Sequence, residues 1–448
     1  MQTYQQAGTT IAPSTIGGSI SSTNKFWISQ AGAVVWTLLS IWLSIPWIDR
    51  LESMIGIMAS LIVIAGIALI PGYLSAFTVL SLLQDRQAPF VEDNPTEPVT
   101  ILIAALNEEK SIVNTLKHIK QQDYAGNLRI ILIDNGSKDN TLTLARKAAE
   151  GLELNITLLK EEKKGKHHAL NAGLPQVRTG LIITLDADTM LHSSAVRHLV
   201  SRFQSSPADV SAVAGSLLVD NRTASFLAKL QVWEYFLSIS SIKRMQSLYR
   251  STLVAQGAFS LFRTKAVREA NGWPDSIGED IVLTWKLFEN NRRVCFEPSA
   301  IAFTEVPQSL RQFARQRSRW ARGMIEALKQ VKPWTLRNSM PKFFTSLDLL
   351  LPYLDISYAL FWLPGLILSC FGFYWVVGPN TLLVLPITLV IYALLYVNQH
   401  QVCEKLNLEY KKNASGLIGY ILFYQLILVF ATVYGYMQEA FNMRRVWK

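Results

Sequence analysis

Two blocks of apolar sequence bracket a stretch of ordinary globular composition, and this arrangement limits the fold more than any motif does. A bilayer crossing needs about 20 mostly apolar residues. Runs of that kind fall at 26–48, 54–83, 354–377, 381–397 and 415–436. Between them, residues 97–335 are mixed in character and numerous enough for one sizeable domain. Half of the 448 residues are hydrophobic and only 17% are charged, which is too apolar for a single soluble core. The expectation is a domain inserted between two N-terminal and three C-terminal transmembrane helices. The first run is too long for a cleaved signal peptide, lacks a basic start and is followed at once by a second. The segment 1–25, rich in Ser, Thr and Gly, reads as a disordered tail. Residues 437–448 read as a C-terminal tail. The stretch 339–353 contains Pro341, Lys342, Asp348 and Pro352 and reads as a helix lying in the membrane interface.

The formal net charge is +10. No nucleic-acid-binding motif accompanies it. Anionic lipid headgroups and a nucleotide diphosphate account for the charge better. Cys295, Cys370 and Cys403 lie far apart and match neither a zinc spacing nor a disulfide framework. A reducing compartment suits the polar domain.

Within 97–335 the chain alternates short apolar runs with helical patterns. Residues 98–106, 128–133, 154–159 and 181–185 read as buried strands. Ile112, Leu116 and Ile119 sit at helical spacing after the first, and a helix from about Asn140 follows the second. Strand, helix, strand, helix is the start of a parallel α/β sheet. Ligands of such sheets bind beyond the carboxyl ends of the strands, where Asn107, Asp134 and Asp186 fall.

Four segments carry candidate chemistry. Asp186-Ala187-Asp188 ends the fourth strand. Two carboxylates one residue apart can hold a divalent cation and leave positions for phosphate oxygens, or can be a plain acidic loop. The basic run 163–168 brings Lys166 either to a nucleotide or into solvent, with Asn171 fixing the backbone behind it. His167 and His168 lack a third ligand at metal spacing. Gly278-Glu279-Asp280-Ile281 opens a helical pattern. Its carboxylates, Glu279 and Asp280, are either helix-start partners or a general base. Upstream, 256–263 is either a small-residue turn that sets Phe259 beside an acceptor sugar or a buried strand. Finally, Gln316-Arg317-Ser318-Arg319-Trp320 combines an amide, a planar cation and a flat aromatic, a set suited to a diphosphate and a sugar ring. The plainer alternative is a helix start with Trp320 in a core.

Taken in order, these segments resemble the membrane-embedded, processive family-two glycosyltransferases, the synthases of poly-N-acetylglucosamine, hyaluronan, chitin and cellulose. The resemblance covers all but the first 25 residues. Ala104–Glu108, including Ala105 and Glu108, and Asp134–Ser137 match the family's nucleotide-binding strand ends. Asp186-Ala187-Asp188 matches its Asp-x-Asp, whose second aspartate is the usual metal ligand. Gly278-Glu279-Asp280 matches its Thr-Glu-Asp, which implies Asp280 as the base; Gly278 in place of Thr reads as harmless. Gln316-Arg317-Ser318-Arg319-Trp320 matches its Gln-x-x-Arg-Trp, with Trp320 implied to stack on the acceptor. The resemblance implies an α/β GT-A (Rossmann-like) cytosolic domain, inversion at the anomeric carbon, Mg²⁺ or Mn²⁺, a UDP-sugar donor and export of a growing glycan through the chain's own spans. Thr304-Glu305-Val306-Pro307 and Arg319–Gly323 look nearest to the poly-β-1,6-N-acetylglucosamine synthases.

A nucleotide-sugar donor puts the domain on the cytoplasmic side of the cell membrane and the link Asp49-Arg50-Leu51-Glu52-Ser53 outside. The link's net negative charge agrees with the positive-inside rule. The C-terminal side is undecided: Lys405, Lys411 and Lys412 compete with Arg444, Arg445 and Lys448. Asp348 and Asp355 mark either the mouth of a wet path or the polar face of an interfacial helix. Two rival functions stay open, a single-sugar transferase acting on a lipid acceptor and a transporter with a regulatory nucleotide domain. The absence of inverted repeats argues against the transporter. Accessory membrane or export subunits are further candidate partners.

Overall fold

The computed structural model describes residues 21–86, 89–378, 385–405 and 413–443. Residues 1–20 of the expected tail, the start of the 381–397 run and the lysines and arginines at 411, 412, 444, 445 and 448 lie outside that set. Four described helices are long and apolar enough to cross a membrane: Ser22–Ile55, Ile57–Leu83, Ser339–Ser369 and Ser415–Ala440.

Their boundaries differ from the sequence reading in three places. Ser22–Lys25 belong to the first helix, which Ser21 caps by accepting from the Asn24 backbone N–H at 3.2 Å. The link 49–53 is helical too, and the chain reverses at Gly56 with φ 78°, a conformation glycine adopts without strain. Charged residues inside a helix end look like a loop when only hydropathy is read. The third difference is at 339–377. The expected interfacial helix and the span after it form one run, interrupted by a turn at Leu349–Leu350, and the run stops at Ser369. Pro352 lies in the first turn of the helix Leu351–Ser357, where its missing N–H costs nothing.

The first two helices pair as an antiparallel hairpin. A Cβ on Gly72 would meet Trp36 at 3.2 Å, and one on Gly32 would overlap Leu80, so both glycines permit close approach.

The central domain is an eight-stranded mixed sheet. Its strands are β1 (Val99–Ala105), β2 (Leu128–Asp134), β3 (Ile156–Lys160), β4 (Leu181–Asp186), β5 (Met190–Leu191), β6 (Val210–Val219), β7 (Phe259–Arg263) and β8 (Arg293–Thr304). The order is β3-β2-β1-β4-β7-β6-β8-β5. β1, β2, β3 and β4 are mutually parallel where they pair, and β7 runs antiparallel between β4 and β6. Both faces of the parallel half are covered, which is why its strands read as continuous apolar runs. Alternate residues feed two cores: Leu102, Ile131 and Ile182 on one face, Ile101, Ile130 and Ile183 on the other.

The first core continues into the apolar helices. Phe26 and Phe77 of the hairpin meet Tyr249 with ring centroids 5.6 and 6.0 Å apart, and Phe344 packs on Tyr249 at 5.6 Å. The Tyr249 hydroxyl also hydrogen-bonds Ser81 at 2.8 Å. This aromatic seam seats the α/β domain at the Ser22 end of the hairpin.

Candidate active site

The loops at the carboxyl ends of β1 and β4 meet the helix Leu310–Gln330 around a cavity of about 450 Å³. Ala105, Glu108, Lys166, Asp186, Asp188, Glu279, Asp280, Gln316, Arg319 and Trp320 all line it. Residues spread over more than 200 positions of sequence therefore converge on one hollow.

Local structure explains how each arrives. Asn135, just past β2, donates to the carbonyls of Glu161 and Lys163 at 3.0 and 2.8 Å and accepts from the Gly165 N–H at 2.8 Å. It thereby shapes the basic loop. Gly165 turns at φ 139°, a region closed to most side chains, and the helix Lys166–Gly173 begins there. Lys166 then reaches across to an ion pair with Asp186 and comes within 3.8 Å of Glu279. Gly257 leaves room for it, since a Cβ there would lie 2.6 Å from Nζ. Asn171 fixes the backbone behind, exchanging hydrogen bonds with Trp273 at 2.7 and 2.9 Å.

Asp280 sits in the first turn of the helix Glu279–Glu289. Its carboxylate accepts from the Gly257 N–H at 3.1 Å and the Ile281 N–H at 2.8 Å. Two backbone donors thus fix its position on the cavity wall. Burial pushes Glu279 up to about 7, with Lys166 opposing the shift and Asp280 adding to it. Burial works against the charge on Lys166, but Asp186 and Glu279 outweigh it and hold the amine above its usual range.

Gln316, Arg319 and Trp320 occupy the inner face of the Leu310–Gln330 helix, which Ser309 caps by accepting from the Gln312 N–H. Gln316 Oε1 is buried without a hydrogen-bond partner among the described residues, so a ligand hydroxyl or N–H would satisfy it. Trp320 is 39% exposed and forms part of the wall, so it is not a core residue.

Three expected site residues are placed otherwise. Phe259 is fully buried in the second core, beneath Gly215, and does not reach the cavity. Its strand is central, so the ring fills the sheet interior while the backbone of Gly257 and Ala258 lines the wall. Asn107 takes a left-handed φ of 56° and ties two loops together: its N–H donates to Ser137 Oγ, and its Oδ1 accepts from the Lys138 N–H. Asp134 lies in register with Ala105 but does not line the cavity, and its Oδ1 is buried without a hydrogen-bond partner among the described residues.

Other cavity residues escaped the sequence reading. Tyr235, Ile239 and Lys243 recur every four residues along the helical segment after Phe226 and form one wall. Their spacing was available, but nothing in it says which side of that segment faces a ligand. Lys243 hydrogen-bonds Gln256 Oε1. Burial pushes its amine down to about 7, and Asp280 opposes the shift.

No group of three or more His, Cys, Asp or Glu residues converges as a metal cage among the described residues. Asp186 is engaged by Lys166, and Asp188 lines the cavity two residues on. That donor set fits a hard cation sharing its shell with ligand oxygens and does not fit a closed protein site.

Comparison with known proteins agrees with this geometry. A family model described as Glycosyltransferase like family 2 matches residues 95–323. The poly-beta-1,6-N-acetyl-D-glucosamine synthase of Staphylococcus aureus is 35% identical over 244 residues, 54% of this chain and 58% of that protein. The Staphylococcus epidermidis protein of the same name is 33% identical over 238 residues, 53% and 57% of the two chains. This chain thus spans little more than half the length of the curated relatives it matches. A mannosyltransferase from Pyrobaculum calidifontis, solved with GDP-Man and Mn²⁺, aligns over 93% of this chain and 100% of its own with TM-score 0.54. At 17% identity that likeness concerns the fold, a GT-A-like mixed sheet. The family model covers half of the sequence and all ten residues gathered at the cavity, and the chain belongs to the family-two glycosyltransferases.

Proposed function

We propose that this glycosyltransferase polymerises a UDP-sugar, best UDP-N-acetylglucosamine, into a β-linked polysaccharide and passes the product through its own apolar helices. The domain faces the cytoplasm in this reading. The observation that carries it is the convergence of Asp280, the Lys166–Asp186 pair and Trp320 on one cavity, whose Leu310–Gln330 wall packs at Ser318 and Ala321 against Gly435 of the apolar helix Ser415–Ala440. The name borne by the staphylococcal relatives supports the choice of sugar.

The chemistry follows from the wall residues. Gln316 and Arg319 hold the donor diphosphate, and Trp320 offers the terminal acceptor sugar a flat apolar shelf. Asp280 takes the proton from the acceptor hydroxyl as its oxygen attacks the anomeric carbon opposite the diphosphate. The new glycosidic bond forms, the bond to UDP breaks, and UDP leaves with the electron pair, so the configuration inverts. A divalent cation, Mg²⁺ or Mn²⁺, held by Asp188 with Asp186 beside it, would neutralise charge on the departing diphosphate. Lys166 keeps Asp186 oriented at that end.

Asp280→Asn tests the reading. Incorporation of sugar should fall roughly 10²–10⁴-fold, the usual worth of a positioned base, while UDP still binds. Wild-type-like incorporation would refute the assignment. Sizing the wild-type product separates a polymer ladder from one sugar per lipid; the latter outcome would replace the polymerase reading with the single-transfer one.

A further inference from the structure

The Gln-x-x-Arg-Trp run holds an arginine that the chemistry above does not use. Arg317 is turned away from the cavity and is 2% exposed. Its guanidinium carbon lies 4.0 Å from the centroid of the Trp320 ring and 5.0 Å from that of Phe313. One face of the cavity indole therefore rests on a buried planar cation.

That cation is itself held through its Nη2 nitrogen. It pairs with Glu234 and donates to Gln231 Oε1 at 3.4 Å. Gln231 is fully buried and donates in turn to the Pro307 carbonyl at 2.7 Å. Tyr424, from the apolar helix Ser415–Ala440, packs edge-on against Phe313 on the same side, ring centroids 5.7 Å apart. Glu234 also opens the π-helical turn Glu234–Ile239, whose Tyr235 and Ile239 line the cavity. Irregular turns of this kind recur at functional sites.

Burying an ion pair desolvates both partners, and apolar packing of the same volume generally joins helices as well or better. What apolar packing cannot supply is a flat cation set face-on to an indole. We propose that Arg317 is a positioning residue: clamped by Glu234, it fixes the plane of Trp320 and so sets affinity for the terminal acceptor sugar without touching that sugar. The proposal rests on the reading of Trp320 as the acceptor shelf.

The test uses the full chain in lipid nanodiscs with Mg²⁺, UDP-N-acetylglucosamine and N-acetylglucosamine oligosaccharides as acceptors. The variant R317M/E234L removes both charges and leaves neither buried alone, which guards against misfolding. It should raise the acceptor KM roughly tenfold, the order expected for a desolvated cation–π contact. Its Kd for UDP should stay within about twofold of wild type, which a general loss of structure would not allow. R317K, which keeps the charge but not the plane, should fall between. In a Trp320→Ala background, R317K should add no further rise, because the two side chains act as one unit. An unchanged acceptor KM in R317M/E234L, a parallel rise in UDP Kd, or a full additional effect in the Trp320→Ala background would each overturn the proposal. Wild-type protein that releases UDP but ignores every added saccharide would instead overturn the polymer reading beneath it.

Discussion

Two lysines face the Glu279–Asp280 pair under opposite conditions, and their behaviour with pH should differ accordingly. Lys166 is held charged by two carboxylates. Lys243 has an amide oxygen as its hydrogen-bond partner, and burial lowers it from 10.5 to about 7 against the pull of Asp280. Between about pH 7 and 10.5 the unfolded chain binds a proton that the folded chain does not, so this lysine makes stability rise with pH across that window. Lys243→Met should flatten that limb of the thermal midpoint plotted against pH; an identical slope in both proteins would exclude the buried amine as its source. Glu279 has the opposite sign: its folded value of about 7 lies above 4.5, so its contribution falls as pH rises between the two. At Asp188 the expectation concerns binding. Asp188→Asn should abolish the Mg²⁺-dependence of UDP affinity in calorimetry, and an unaltered response to the metal would remove it as a ligand. Sequence reading found ten of the cavity residues by two signals: strand ends give Ala105, Glu108, Asp186 and Asp188, while the basic run and the motifs at 279–280 and 316–320 give the rest. Phe259, Asn107 and Asp134 lie off the cavity wall for different reasons: Phe259 opens a central strand, Asn107 sits in the loop past β1 and Asp134 ends β2, and none of these positions announces which way its side chain turns.

Secondary-structure elements bring the motifs together, and one contact between backbones decides how closely. Gly278 and Gly323 face each other where the Glu279–Glu289 helix meets the Leu310–Gln330 helix: a Cβ on either would lie 2.9 Å from the Cα of the other. The replacement of Thr by Gly at 278, harmless when judged by its carboxylate neighbours alone, is therefore a steric requirement of this packing. Gly278→Thr should force the helices apart, costing about 1–3 kcal/mol as overpacking usually does, and should lower turnover because Asp280 and Trp320 lie on the two separated elements. Thermal denaturation and UDP release check both parts; a wild-type-like result would mean the helices yield freely. The parallel strands β1 to β4 were legible as apolar runs. β6 and β8 were not, for a physical reason: their pairing shifts register between Val210 and Ala212 and again between Ala214 and Ser216, which destroys the alternation a strand would show. Glu297 and Pro298 inside β8 conceal it further.

On the scale of the whole molecule, the hairpin gives the proposed orientation a geometric form. Thirty-four helical residues from Ser22 to Ile55 extend about 50 Å at 1.5 Å per residue, against a hydrocarbon core of about 30 Å. The α/β domain is seated at the Ser22 end through Phe26, Phe77 and Tyr249, while the reversal at Gly56 lies at the other. The Ser339–Ser369 helix runs the same way: Phe344 packs near Phe77, and beyond its far end the Trp375 carbonyl accepts from Trp47 Nε1 at 3.0 Å. Exposed Leu38, Trp42, Met58 and Ile62 along the hairpin suit contact with lipid and not with water. If the hairpin crosses the bilayer, Glu52 and the domain must therefore lie on opposite sides. In a background with Cys295, Cys370 and Cys403 replaced by Ser, Glu52→Cys should react with a membrane-impermeant maleimide in intact cells. Glu150→Cys, on the exposed surface of the domain, should react only after permeabilisation. The reverse pattern would place the cavity outside, away from cytoplasmic nucleotide sugars, and labelling of both from one side would mean that the hairpin does not cross.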